Sequence, residues 1–268
     1  MDRHTPSIKA EMPARFRRPS ILSFFGWILF IAFISMGING ADMTPDRLFN
    51  GILNIGSFVG NAFPPDFSRI GPIVLSMIET LEMALVGTTF GVLLSLPVAL
   101  LAAKNTSPHP AIRSAVKGII MVLRTIPDLV FALIFVIAIG LGPLAGILTI
   151  TVDTIGFCGR FFAERIEELD KGPVQALEST GASQFGIISG SVIPMAFPSF
   201  VGTSLFAVEK SIRGAAVLGL VGAGGIGVQL NTAMSLRNFD EALMIILVIL
   251  AVVLIVERIS ASIRKKVL

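Results

Sequence analysis

The chain has 268 residues, of which 53% are hydrophobic and only 15% are charged, and its mean hydropathy is +0.84. Soluble domains contain roughly 45–50% apolar and about 25% charged residues, so this composition indicates a membrane protein and argues against an unusually apolar soluble enzyme. The single cysteine, Cys158, excludes a disulfide framework within the chain, and His4 and His109 are too far apart for a metal-site motif.

The N-terminal segment combines a basic tail with an apolar run. Residues 1–20, "MDRHTPSIKAEMPARFRRPS", form the tail, and residues 21–38 carry no charge. About 18 uncharged apolar residues are typical of a membrane helix. No small-residue cleavage site follows the run, so it is interpreted as an anchor helix and not as a cleaved signal peptide.

The rest of the chain predicts five further spans. The outer loop 39–72 is too polar to span and is expected to hold a short interfacial helix. The third span, 115–139, is interrupted at "RTIPD" (124–128), and "GLGP" at 140–143 turns the chain into the fourth span. The expected core is 73–260, followed by a basic cytoplasmic tail at 261–268. Its predicted spans are 73–103, 115–139, 140–162, a glycine-broken span from "SVIP" to about 221, and "EALMIILVILAVVLIVERI".

The distribution of Lys and Arg supports this count and sets an orientation. With the N-terminus inside, fifteen of the 21 basic residues fall in cytoplasmic segments, and only Arg47, Arg69 and Arg237 fall outside. Cytoplasmic loops are enriched in Lys and Arg. The sequence therefore predicts an all-α membrane protein with six spans and both termini in the cytoplasm.

The stretch "VGAGGIG" at 221–227 contains the letters of a dinucleotide-binding fingerprint. That fingerprint requires a strand–helix junction in a βαβ unit, which this region lacks. We expect Gly224 and Gly225 instead to permit close backbone approach at the outer end of a span, where irregular backbone indicates a pathway.

The sequence predicts a short helix in a cytoplasmic loop at 164–190, "ERIEELDKGPVQALESTGASQFGIISG". Pro173 suits the first helical position, and Gly181 suits a left-handed cap. Because so short a helix is marginal alone, it must be held by neighbouring elements or by a partner. An ordinary connecting helix is the alternative.

This loop resembles the Glu-Ala-Ala coupling motif of permease subunits of ATP-binding-cassette (ABC) importers. Several stretches resemble the phosphonate-transporter permease branch: "RTIPDLVFALIFV", "GLGPLAGIL", "FFAERIEELDKGPVQALESTGAS" and "RGAAVLGLVGAGGIGVQL". Gln175 stands where the motif has Glu, and Glu178 could replace that carboxylate. The residues that the resemblance assigns to ATPase coupling are Pro173, Gln175, Ala176, Leu177, Glu178 and Gly181.

The resemblance implies a type I importer permease with a core of five helices plus one N-terminal helix, in the bacterial inner membrane. It implies as partners a second permease copy, a cytoplasmic ATPase dimer, an extracytoplasmic solute-binding protein and membrane lipid, and no nucleic acid. The solute would be a phosphonate, a phosphite or hypophosphite, or another small solute. No cofactor is expected on this chain, because it has no phosphate-binding loop for ATP; ATP and Mg²⁺ would bind the ATPase.

Charges within the predicted spans are candidate functional groups, since ionisable side chains in a membrane are costly unless paired or hydrated. Glu209 and Arg213 have the spacing of an i,i+4 pair. Asp153 is expected to pair with one of the basic residues, whereas a purely structural ion-pair network is the alternative. The path candidates are Arg124, Asp153, Glu209, Lys210, Arg213, Gly224 and Gly225.

Two other function classes remain open. A secondary carrier is compatible with six spans and a buried Asp153, and only the coupling loop argues against it. An intramembrane hydrolase would need a nucleophile with a base, or a metal set, and the spans contain no His and no such motif.

Overall fold

The computed structural model describes residues 20–267, which form helices and contain no strand. The predicted N-terminal tail therefore lies outside the described residues, apart from Ser20. The chain divides into two compact units, residues 1–58 and 59–268, which are taken separately.

In the first unit, α1 (Ile21–Gly40) begins where the Ser20 hydroxyl accepts a hydrogen bond from the Ser23 N–H at 3.2 Å. Apolar residues surround this helix on all sides, as expected for a helix in contact with lipid. The next helix, α2 (Pro45–Ala62), separates apolar and polar faces. It falls within the predicted outer loop and, at 18 residues, is longer than the short interfacial helix expected there.

The second unit is a helical bundle. Its last helix, Phe239–Val267, continues through residues 261–267, which the sequence predicted as part of a basic tail. Its elements are α3 (Ile70–Ala102), α4 (Pro110–Thr125), α5 (Asp128–Ile139), α6 (Pro143–Glu167), α7 (Lys171–Ser179), α8 (Gln184–Ile187), a π-helical turn (Ile188–Val192), α9 (Ile193–Leu218), a 3₁₀ turn (Gly219–Val221), α10 (Ile226–Ser235) and α11 (Phe239–Val267).

Five helical segments among the described residues are long and apolar enough to cross a membrane, and a sixth results if α4 and α5 are one bent span. The α4–α5 pair bends by 91°. Pro127 causes this break, because the residue before a proline avoids helical angles and Ile126 is extended. The predicted all-α membrane fold is confirmed, with the third span sharply bent.

Glycines allow α3 and α6 to approach closely. A Cβ atom on Gly87 would lie 2.8 Å from the Ile150 side chain, and one on Gly91 would collide with Thr154. Ser95 continues the same face of α3 and donates to the Gly91 carbonyl at 2.6 Å. Small residues at four-residue spacing bring membrane helices together in this way, so α3 and α6 form a closely packed pair within the bundle.

Contacts between helix ends define two ends of the bundle. At the α7 end, the Lys104 N–H donates to Glu167 Oε1 at 2.8 Å, which joins the end of α3 to the end of α6. At the α10 end, Arg69 pairs with Glu241 at 2.8 Å, which joins the beginnings of α3 and α11.

Candidate functional site

A pair of opposite charges joins α6 and α9 inside the bundle. The Lys210 Nζ atom donates to both carboxylate oxygens of Asp153, at 2.6 and 2.7 Å. Asp153 is largely buried, whereas 36% of the Lys210 side chain remains exposed. The prediction that Asp153 pairs with a basic residue of the spans is therefore confirmed, and Lys210 is that residue.

Two further groups surround this pair. Phe157 lies one helical turn after Asp153 on α6, and its ring centroid is 5.3 Å from Lys210 Nζ, within cation–π range. Asp128, the first residue of α5, lies beside Asp153 and lines the same small cavity with Ser211. One ammonium group thus faces two carboxylates and an aromatic ring.

Glu209 has a different partner from the one expected. The prediction of an i,i+4 pair with Arg213 is wrong, because Arg264 of α11 binds Glu209 Oε1 at 2.8 Å. Glu209 is buried, with 6% of its side chain exposed, and α11 packs on that side of α9. Arg213 is exposed and has no ion-pair partner within residues 20–267.

Arg124, at the last turn of α4, is not among the residues that line the cavity at Lys210. Sequence spacing offered Asp128 as its companion, but the bend at Pro127 directs Asp128 to the Lys210–Asp153 pair. Arg124 instead lines a cavity between α4 and α6, towards the α7 end. The structure therefore brings together only Asp153 and Lys210 among the predicted path charges.

The glycine-rich stretch holds α10 against α3. Gly222, Gly224 and Gly225 all have positive φ angles, of 84°, 87° and 73°. The Ile226 N–H donates to the buried Thr80 hydroxyl at 2.7 Å, and a Cβ atom on Gly224 would lie 2.9 Å from Pro143 N. Packing therefore fills the space that a dinucleotide would need, and these glycines allow backbone to approach closely.

The predicted short helix between the fourth and fifth spans is α7. The Asp170 side chain caps its beginning by accepting from the Gly172 N–H at 3.1 Å. The sequence predicted Pro173 as the first helical residue. It is the third, because the helix begins at Lys171. Gly181 has a φ angle of 76° and follows the helix as expected, with its N–H donating to the Glu178 carbonyl at 3.0 Å.

One face of α7 is exposed and the other is packed. Gln175, Ala176 and Glu178 are exposed, whereas Val174 packs against a cluster of buried apolar residues at the α7 end. Leu177 is partly buried, and its Cδ1 atom lies 3.5 Å from where a Cβ atom on Gly190 would be. Because Gly190 belongs to the π-helical turn before α9, α7 contacts the helix that carries Lys210.

The part of the chain that the structure describes contains no set of side chains that could bind a metal ion. Within residues 20–267, no three His, Cys, Asp or Glu side chains are grouped closely enough to hold a metal ion.

The family is decided by residues 95–268, which match the model of the binding-protein-dependent transport system inner membrane component. The chain belongs to this family. It is therefore a multi-pass permease of the inner membrane, a transport subunit and not an enzyme, and a separate ATPase chain hydrolyses ATP.

Relatives of this permease include two phosphorus-anion transport proteins. The phosphite transport system permease protein PtxC of Stutzerimonas stutzeri is 38% identical over 218 residues, which cover 81% of this chain and 79% of PtxC. The phosphate-import permease protein PhnE of Mycolicibacterium smegmatis is 36% identical over 237 residues, which cover 88% of this chain and 43% of PhnE.

Solved structures show the same fold. The permease is similar to a chain of the inward-facing MetNI methionine ABC transporter, with a TM-score of 0.67 and 21% identity over 76% of this chain and 100% of that chain. It is also similar to a chain of an amino acid ABC transporter, with a TM-score of 0.62 and 19% identity over 75% of this chain and 98% of that chain. The predicted type I importer architecture is thereby confirmed.

Sequence reasoning about the permease missed Phe157 and Asp128 as neighbours of the Lys210–Asp153 pair, and Arg264 as the partner of Glu209. Phe157 could have been found, because it lies four residues after Asp153 on one helix face. Arg264 lies 55 residues from Glu209 and gave no local signal.

Proposed function

We propose that this permease moves small phosphorus oxyanions, the class that includes phosphonates and phosphite, into the cell. The observation that carries the proposal is the Lys210 ammonium, which stands within a span, is partly exposed and is paired with Asp153. Once Asp153 releases it, this ammonium is a hydrogen-bond donor for an anionic solute. The named solutes of PtxC and PhnE, phosphite and phosphate, support the phosphorus class.

Lys210 can exchange its partner during transport. An arriving oxyanion offers several acceptor oxygens and competes with the Asp153 carboxylate for the ammonium. Release of the carboxylate uncouples α6 from α9, and release of the solute lets the ion pair form again. The pair therefore keeps the Lys210 cation neutralised in the absence of solute, as a charge within a membrane requires.

The exposed face of α7, formed by Gln175, Ala176 and Glu178, is proposed to dock on the ATPase. Movement of α7 would pass through the contact between Leu177 and Gly190 to the π-helical turn and to α9. Since Lys210 lies on α9, ATP-driven movement would reach the ion pair through one continuous element. This path provides alternating access without any nucleotide bound to this chain.

The assembly that we propose contains two copies of the permease, two ATPase chains that bind ATP and Mg²⁺, and an extracytoplasmic binding protein that delivers the solute. Both termini and α7 lie in the cytoplasm in this arrangement. The excess of Lys and Arg in the predicted cytoplasmic segments supports that orientation.

The test is uptake into proteoliposomes that hold the permease with its cognate ATPase and binding protein. Labelled phosphite, methylphosphonate and phosphate are compared with methionine. We expect ATP-dependent uptake of at least one phosphorus anion, no uptake of methionine, and loss of uptake in Ala176→Asp but not in Ser114→Asp, a control at an exposed position of α4. Uptake without the ATPase would identify a secondary carrier instead.

A further inference from the structure

A cavity of about 490 Å³ lies between α4 and α6, near the end of α3. Apolar residues that include Ile120 and Ala163 form part of its wall, and its polar lining consists of Lys117, Arg124, Thr125, Arg160 and Glu164. Ligand pockets typically enclose about 300–1,000 Å³ and combine an apolar wall with a few polar groups. The cavity has this size and this character.

The cavity has an excess of positive charge. Three basic side chains and one carboxylate line it. Lys117 Nζ lies 3.0 Å from Glu167 Oε1, and Arg160 uses its Nε atom to bind Glu164 at 2.6 Å. The terminal nitrogens of Arg160 have no protein acceptor among the described residues, so they remain available to an anion.

Arg124 is the lining cation without an ion-pair partner in residues 20–267. Its side chain lies against α6 at Gly156, where an added Cβ atom would be 3.2 Å from Arg124 Cγ. The missing side chain at Gly156 therefore makes room for the Arg124 stem. An arginine placed by a close helix contact and left without a carboxylate is a group suited to a ligand.

Helical spacing aligns these groups along two facing helices. Lys117 and Arg124 are seven residues apart on α4, and Arg160 and Glu164 are four residues apart on α6, so each set shares one helix face. Two guanidinium groups can bind a tetrahedral phosphorus oxyanion through paired N–H donors, a geometry that lysine does not offer.

We propose that this cavity is a second anion site, which binds a phosphorus oxyanion through Arg124 and Arg160. It differs in its residues from the Lys210–Asp153 pair, and the inference does not rest on which solute is transported. The anion has two possible sources: the headgroup of an anionic phospholipid, whose glycerol and acyl portions would meet Ile120 and Ala163, or a free oxyanion such as inorganic phosphate.

The experiment measures both sources with the full-length permease in complex with its ATPase. Native mass spectrometry counts phosphatidylglycerol bound at matched concentrations, with phosphatidylcholine as the zwitterionic comparison of zero net charge. Equilibrium dialysis measures labelled inorganic phosphate. The variants are Arg124→Gln, Arg124→Lys and Arg160→Gln, and the control is Lys265→Gln, an exposed cation near the end of α11. Thermal unfolding checks that each variant is folded.

We expect Arg124→Gln to weaken binding of one probe by about tenfold, as loss of a charged hydrogen-bond donor does, with a smaller loss in Arg124→Lys and none in Lys265→Gln. The probe that responds identifies the source of the anion. If neither probe binds the unmodified complex, or if Arg124→Gln and Arg160→Gln bind both probes as well as the control does, the proposal is overturned. Should Arg124→Gln fail to fold, the same comparison with Arg160→Gln decides.

Discussion

The Lys210 ammonium on α9 lies 2.6 and 2.7 Å from the two carboxylate oxygens of Asp153 on α6. The side chain of Asp153 is 16% exposed and that of Lys210 is 36% exposed, so the pair is not sealed in the core. An ion pair between two helices that remains accessible can be opened by a competing anion. Its accessibility distinguishes the Lys210–Asp153 pair from the Glu209–Arg264 pair, in which the carboxylate is only 6% exposed.

Replacement of Lys210 by Met should reduce anion uptake at least tenfold. The change removes the cation and leaves Asp153 without its partner, and loss of one member of a buried pair costs about 3–5 kcal/mol, which partial exposure here reduces to roughly 2 kcal/mol. The double variant Lys210→Met with Asp153→Leu should recover the unfolding temperature but not uptake. Uptake equal to the unmodified permease in that double variant would make the pair purely structural.

Replacement of Gly87 by Ala should separate α3 from α6. The added Cβ atom would lie 2.8 Å from Ile150 and 2.9 Å from the Ile147 carbonyl oxygen, and overpacking of this kind costs about 1–3 kcal/mol. Gly118→Ala is the matched control, because nothing lies within 4 Å of its added Cβ. Within a helix, Ala is more stable than Gly by about 0.5–1 kcal/mol. Thermal unfolding in detergent should show opposite shifts, and equal shifts would contradict the close α3–α6 contact.

Replacement of Thr80 by Val should loosen the beginning of α10. The buried Thr80 hydroxyl accepts from the Ile226 N–H at 2.7 Å, and an isosteric Val leaves that N–H unpaired at a cost of about 1–3 kcal/mol. Thr89→Val on the same helix is the control, since its exposed hydroxyl only donates to the Leu85 carbonyl. Amide hydrogen exchange should increase at residues 224–228 in Thr80→Val alone. No increase there would mean that packing, and not this hydrogen bond, holds α10.

The sequence predicted elements whose signals are local. Uncharged apolar runs located the spans, Pro127 located the break between α4 and α5, and Gly181 located the end of α7. Each of these depends on residues within a few positions of one another. The pairing of Asp153 with a basic residue also followed, because a carboxylate within a span requires a cation and few are available.

What the sequence could not predict depends on how distant helices pack. Spacing favoured Arg213 as the partner of Glu209, since the two residues share a helix face, but α11 packs beside Glu209 and brings Arg264 within 2.8 Å of it. In the same way, the 91° bend after Thr125 separates Arg124 from Asp128, although only three residues lie between them. Local rules identify groups that require partners, and tertiary packing selects the partners.

Replacement of Gly181 should reveal how firmly the end of α7 must be fixed. With a φ angle of 76° and nothing within 4 Å of an added Cβ, the only obstacle to a side chain here is the backbone conformation. A left-handed conformation costs most residues about 1–2 kcal/mol, costs β-branched residues more, and is tolerated by Asn. Gly181→Val should therefore break the hydrogen bonds that the Gly181 and Ala182 N–H groups donate to the last turn of α7. It should also displace Leu177 from Gly190. We expect Gly181→Val to lower binding-protein-stimulated ATP hydrolysis several-fold in the assembled transporter, while Gly181→Asn retains most of it. Equal hydrolysis in both variants would show that the capped geometry of α7 does not matter for coupling.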